Sequence, residues 1–131
     1  MDDDNSALAA NWHIACIDPD PALTQTIRPL IDGAEISLVQ ITDPTQALSL
    51  FAQTPPNLIF LQAQMPVIDG YELCSLMRKS PSLKNKPIIL ILPKKSLLDN
   101  ARVKMAGATD ALDSQCSGKD LLRMIFRYLS S

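Results

Sequence analysis

The stretch LIFLQAQMPVIDG, residues 58–70, sets the frame for the whole chain. An apolar run reaches Gln62, and Met65-Pro66 and Asp69-Gly70 follow closely. A short unbroken apolar run reads as a buried strand, and the proline and Asp-Gly pair read as the turn that ends it. Gln62 then stands at the carboxyl tip of a strand. In parallel α/β sheets that is where ligands and reacting groups gather, so an unreactive amide there needs a physical account.

Working outward, comparable runs recur at HIACI (13–17), EISLVQI (35–41), NLIFL (57–61), PIILIL (87–92) and TDAL (109–112). Four of the five are apolar nearly throughout, the pattern of strands covered on both faces. The segments between them carry helical spacing. Leu23, Ile27, Leu30 and Ile31 mark 20–32, and Ala47, Leu48, Leu50 and Phe51 mark 43–53. Leu73, Leu76 and Met77 mark 69–79, and Leu98, Val103, Met105 and Ala106 mark 96–106. Leu121, Leu122, Ile125, Phe126 and Leu129 form a stripe over 117–130. Asp20, Asp43, Asp69, Ser96 and Ser117 are expected N-caps, with prolines at 21 and 44 suited to a first turn and Gly107 to a stop. Pro29 falls inside the first helix, where it costs ~3 kcal/mol and predicts a kink or an early end. Strict β-α alternation predicts an α/β fold: a doubly wound five-stranded parallel sheet, order 2-1-3-4-5, of the flavodoxin kind.

Composition bounds the rest. The 131 residues suit one domain with its own core, and the formal charge of −2 leaves no footprint for nucleic acid. Lys84, Lys86, Lys94 and Lys95 read as solvated surface. No apolar run approaches the roughly 18 residues of a membrane span. The acidic opening MDDDNSALAANW is no signal peptide and reads as a disordered leader over 1–11, ahead of a domain over 12–131. Cys16, Cys74 and Cys116 lack metal-ligand or disulfide spacing and fit a reducing cytoplasm. Cys16 is expected to be buried and inert, and Cys116 to lie in an exposed loop with Lys119 near it. His13 opens a strand and reads as structural.

The strand ends expected around one crevice carry Asp18-Pro19-Asp20-Pro21, Gln62, Leu92-Pro93 and Asp113-Ser114. Here the chain resembles a known family, the CheY-like receiver domains of two-component response regulators. MPVIDGYELCSLMR is similar to the family's MPxMDGxELxxxxR run, IACIDPDP to its VVDDDP, PIILIL to its fourth strand, and AGATDAL to its AGADDYL. The resemblance spans about residues 13 to 129. It implies the fold already read from periodicity, and it implies a site: an aspartate that takes a phosphoryl group, acidic residues for Mg²⁺, a Thr or Ser, a Lys, and a switch aromatic.

Carried over by position, the aspartate is Gln62, which cannot form an acyl phosphate. The first acidic residue is Asp18, the second is Pro19, and Asp20 matches a third acidic position. The Thr/Ser position is Leu92, and the Lys-Pro-Phe run is Ser114-Gln115-Cys116. The switch aromatic is Ala111. The resemblance thus implies a degenerate phosphoacceptor pocket of Asp18, Pro19, Gln62, Leu92, Ala111 and Ser114, with no catalytic residue, no metal and no cofactor. For Gln62 the expected state is an amide satisfied by Asp18, backbone or water.

In the family, the face of helix 4, strand 5 and helix 5 contacts partners. Here it would present Arg102, Lys104, Asp110, Asp120, Arg123 and Arg127, which read equally as a solvated face. Met124 stands where paired receivers carry a basic residue. The expectation is a phosphorylation-independent pseudo-receiver, not an enzyme. It would act as a cytoplasmic protein-protein interaction module, monomeric or weakly dimeric, through a separate kinase, output or scaffold protein. ITDPTQAL, NLIFLQAQMP and GYELCSLMRKSP also resemble cyanobacterial receivers of the PatA type. Two alternatives remain: a still-switchable regulator using another phosphorylation or metal site, and a small-ligand or redox-sensing pseudo-receiver.

Overall fold

Three strands are apolar enough to be sealed on both sides, and they form the middle of the sheet. The computed structural model describes residues 12–94 and 99–129. In chain order the elements are β1 (Trp12–Ile17), α1 (Ala22–Leu30), β2 (Ile36–Ile41), a 3₁₀ turn at Pro44–Gln46 leading into α2 (Ala47–Gln53), β3 (Leu58–Gln62), α3 (Gly70–Arg78), β4 (Ile88–Leu92), α4 (Asp99–Ala106), β5 (Asp110–Asp113) and α5 (Gly118–Leu129). All neighbouring strands run parallel, in the order β2-β1-β3-β4-β5. That is the expected doubly wound sheet. The leader expected over 1–11 and the cap expected at Ser96 lie outside the described residues.

Strand alternation sorts the core into two layers. Ala15, Ile17, Ile59, Leu61, Ile88, Leu90, Leu92 and Ala111 pack under α2, α3 and α4 through Phe51, Leu73, Met77 and Val103. Ile14, Cys16, Leu58, Phe60, Ile89 and Ile91 pack under α1 and α5 through Ile27, Ile31, Leu121 and Ile125. The strand β2 departs from expectation: Ser37 and Val39 are exposed, because an edge strand is covered less fully than its neighbours.

Local chemistry explains the helix ends. Asp69 Oδ1 accepts from Tyr71 N–H at 2.7 Å, and Asp43 Oδ1 accepts from Thr45 N–H at 3.1 Å. Ser117 and Asp120 cap reciprocally: Asp120 N–H donates to Ser117 Oγ, and Ser117 N–H to Asp120 Oδ2. Asp20 Oδ1 accepts from Ala22 N–H at 2.9 Å, one position earlier in the turn than expected, because Pro21 itself precedes the helix. The helix α1 ends at Leu30, one residue beyond Pro29. Gly107 closes α4 at φ +85°, with its N–H on Lys104 and that of Ala108 on Val103.

One side chain ties three segments together. Arg78 Nε donates to the Gly107 carbonyl at 2.6 Å, Nη1 to the carbonyls of Leu83 at 2.9 Å and Lys86 at 2.6 Å, and Nη2 to Thr109 Oγ1 at 3.0 Å. The end of α3 is thereby fixed to the loops before β4 and β5.

Candidate functional site

The carboxyl ends of β1 and β3 open into a crevice of about 460 Å³ lined by Asp18, Pro19, Asp20, Gln62, Ser114 and Cys116, among others. Its position follows from topology, since the chain winds away from β1 in both directions. Its lining follows from alternation. Asp18, Gln62 and Ile91 continue the side-chain rows of β1, β3 and β4 that face α1 and α5.

Asp18 is 9% exposed and is held on every side. Its N–H donates to the Ile41 carbonyl at 3.0 Å, and its own carbonyl accepts from Gln40 Nε2 at 3.2 Å. Oδ1 accepts from Asp20 N–H at 2.9 Å, and Oδ2 accepts from Gln62 Nε2 at 3.3 Å. The Gln62 amide therefore sits where a second carboxylate would repel the first, and supplies a neutral donor in its place. Its nitrogen lone pair is delocalised and its oxygen is no nucleophile toward phosphorus. Pro19 is exposed and offers no ligand atom from its side chain, and Asp20 spends Oδ1 on the start of α1.

Ser114 N–H donates to the Leu92 carbonyl at 2.7 Å, and its hydroxyl donates to the Pro93 carbonyl at 3.2 Å. The hydroxyl is thus engaged by backbone, and no cis peptide bond occurs among the described residues. A divalent cation fits this donor set poorly. Both Asp18 oxygens already accept from N–H groups, and the Gln62 amide turns a donor toward the carboxylate. Among the described residues no set of three or more His, Cys, Asp and Glu gathers as metal ligands.

Two of the six residues expected around the crevice lie elsewhere. Leu92 and Ala111 are 2% and 4% exposed and belong to the layer under α2, α3 and α4. They have the opposite strand parity from Asp18 and Gln62, so they shape the core behind the crevice rather than its wall. Cys116 is another correction. It is half-buried against the α1-α5 layer, and burial, followed by the charges of Asp120 and Asp113, pushes its thiol up. Burial likewise pushes Cys16 to about 12 and Cys74 to about 11. Gln40 and Gln64 belong to the surroundings of Asp18 and the crevice and are not among the residues that the motifs single out. Gln40 was findable, being the one polar side chain of β2 whose parity faces the same layer. His13 lies at the opposite end of the sheet, where its ring bonds Ser37 Oγ.

The six surface residues divide into two groups. Arg102 stacks on Tyr71, 4.1 Å from the ring centre, and lies 3.6 Å from Asp69, so it joins α4 to α3. Asp110 accepts from Tyr128 Oη at 2.8 Å and lies 4.0 Å from Arg127, and Asp120 pairs with Arg123 at 3.3 Å. Lys104 is exposed. Exposed pairs of this kind contribute only ~0–1 kcal/mol each.

Comparison with known proteins agrees with this geometry. The model of the response regulator receiver domain matches residues 14–126. The chain is 29% identical over 118 residues to the protein PilG of Pseudomonas aeruginosa, a match covering 90% of this chain and 87% of PilG. It is 24% identical over 112 residues to RpaA, a DNA-binding dual master transcriptional regulator of Synechocystis, covering 86% of this chain but 46% of RpaA. Among solved structures it superposes on the chemotaxis protein CheY4 of Vibrio cholerae with a TM-score of 0.82 at 22% identity, over 91% of this chain and 99% of that one. A response regulator from Desulfuromonas acetoxidans gives 0.78 at 26% identity, over 91% and 97%. Receiver domains are signalling modules rather than enzymes, and they interact with kinases or output proteins. The sheet order, the crevice at its switch point and the matched residues together place this chain in the response regulator receiver domain family.

Proposed function

We propose that this receiver is phosphorylation-independent and serves as a cytoplasmic protein-protein interaction module in signal transduction. One observation carries the reading: at the tip of β3 the Gln62 amide donates to Asp18 Oδ2 at 3.3 Å. An acyl phosphate needs a carboxylate there, and Mg²⁺ needs free carboxylate oxygens beside it. Gln62 offers an amide in place of that carboxylate, and its N–H already engages one oxygen of Asp18. Leu92 and Ala111 support the reading, since neither offers the hydroxyl or the aromatic ring with which the family reports phosphorylation.

The conformation is then set by packing and by whatever protein docks, through charges such as Arg123, Arg127 and Lys104. Among the described residues no helix is long and apolar enough to cross a membrane. The PatA-type phrasing makes cyanobacterial regulators the first place to seek the partner. Incubation with acetyl phosphate and Mg²⁺ followed by intact mass tests the proposal. The expected spectrum is unchanged, and a stable gain of the roughly 80 Da of one phosphoryl group overturns it.

A further inference from the structure

The two edges of the sheet are built differently. β5 is four residues long and begins and ends with Asp110 and Asp113, charges that discourage pairing with another strand. β2 is ISLVQI, six residues without a charge or a proline. Trp12 N–H donates to the Glu35 carbonyl and Asp18 N–H to the Ile41 carbonyl, which fixes the phase of the β1–β2 ladder. The backbone groups of Ile36, Leu38 and Gln40 therefore turn outward, and among the described residues no backbone hydrogen bond reaches them. On the α2 side of the sheet Val39 is 51% exposed, and α2 itself leaves Leu50 47% exposed. Outward donors and acceptors at every second residue are matched by an extended strand.

Charge selects which strand. Asp32 and Glu35 precede β2 and Asp43 follows it, all three exposed. Asp43 Oδ1 accepts from Thr45, which leaves Oδ2 open, and none of the three forms an ion pair among the described residues. The chain between Arg28 and Arg78 contains no lysine or arginine, so neither β2 nor α2 supplies a cation. The edge is thus an uncharged, partly apolar track with unneutralised carboxylates at both ends. A second copy of β2 meets that pattern badly, because it brings its own acidic ends beside these. A strand with lysine or arginine at each end and uncharged residues between meets it well. We propose that the β2 edge binds an extended segment of a partner protein as an added strand, the segment being uncharged along β2 and basic at both ends. This contact leaves the crevice untouched, so its failure and a failure of phosphorylation independence are separate outcomes.

The probe is the peptide acetyl-KKVTVTVKK-amide, titrated into the full isotope-labelled chain and followed by NMR. Saturable shifts are expected at Ile36, Leu38 and Gln40, whose amides exchange about tenfold more slowly at saturation. The peptide acetyl-EEVTVTVEE-amide keeps the strand and reverses its ends, which tests charge on the unaltered chain; no saturable shift is expected from it. Asp32→Lys combined with Glu35→Lys reverses one end of the edge while leaving the β1 ladder intact. The double variant is expected to bind the basic peptide about tenfold more weakly, with an unchanged circular dichroism spectrum. Absence of saturable shifts with the basic peptide overturns the proposal. So do shifts that leave the Ile36, Leu38 and Gln40 amides exchanging as fast as before, equal binding of the acidic peptide, or undiminished binding by the folded double variant.

Discussion

Gln62→Asp tests the electrostatic account of the crevice most directly. The amide now donates to Asp18 Oδ2 at 3.3 Å. The substitution removes that bond, worth about 1 kcal/mol, and sets two carboxylates facing each other. At a separation of about 4 Å and an effective dielectric near 20, two unit charges repel by about 4 kcal/mol. The shorter side chain and the half-buried setting of residue 62 let the new carboxylate turn toward water, so the expected net loss is about 2–3 kcal/mol. Urea unfolding at pH 7 should show the midpoint fall by roughly 1 M with an unchanged slope.

The pH dependence has a definite sign. Repulsion raises the introduced carboxyl's folded-state pKa above its unfolded value of about 3.9. The folded variant therefore holds its proton longer. The repulsive part of the deficit is absent below about pH 4, grows as pH rises through the window up to the folded pKa, and is complete above it. Millimolar Mg²⁺ should return part of the loss in the variant, since a cation bound only by the folded state stabilises it, and should leave the wild type unmoved. A variant as stable as wild type at pH 7 would refute the reasoning, as would equal stabilisation of both proteins by Mg²⁺.

Gly70→Ala tests the junction that places Gln62. A Cβ there would lie 2.1 Å from the Gln62 carbonyl oxygen and 2.7 Å from Ala63 Cα, both backbone atoms, so α3 must move off β3. A loss of about 3 kcal/mol and a fall of roughly 10 °C in Tm are expected by calorimetry; a change under 2 °C would mean that the approach is looser than described. The thiols give a chemical check. With Cys16 near 12 and Cys74 near 11, iodoacetamide at pH 8 should spare both in the folded protein and label all three cysteines in urea. Because the raised values keep these protons on in the folded state, stability should also decline from about pH 9 upward, where the unfolded thiols ionise first.

The fold was legible in the sequence because each signal was redundant. The apolar run at 58–61, the Asp69 cap and the Pro21 and Pro44 turns all agree with β-α alternation, and even TDAL, poor in apolar residues, is placed by its neighbours. The site was legible in its parts but not in its grouping. Leu92 and Ala111 share an end of the sheet with Asp18 and Gln62, which is all that motif position conveys. Strand parity separates them, and the period of two needed for that distinction was already in PIILIL and TDAL. The half-buried setting of Cys116 is hidden for a different reason. Its short loop turns back through Cys116 N–H on the Asp113 carbonyl, and nothing in Ser114-Gln115-Cys116 announces which way that turn folds. Arg78 closes the quoted motif, yet its span of backbone partners depends on loops that come together only in three dimensions.

Arg78 also bears on proteolysis. The loop it holds contains Lys84 and Lys86, two basic residues in exposed or half-buried positions before β4. Trypsin must draw such a loop into extended form to cut after Lys84, and the Lys84 carbonyl lies 3.3 Å from Arg78 Nη1. Cleavage there requires the guanidinium to release the loop, and Pro87 protects the bond after Lys86. The rate of nicking at Lys84 thus measures how often the corner joining α3, β4 and α4 comes apart while the rest of the sheet stays folded.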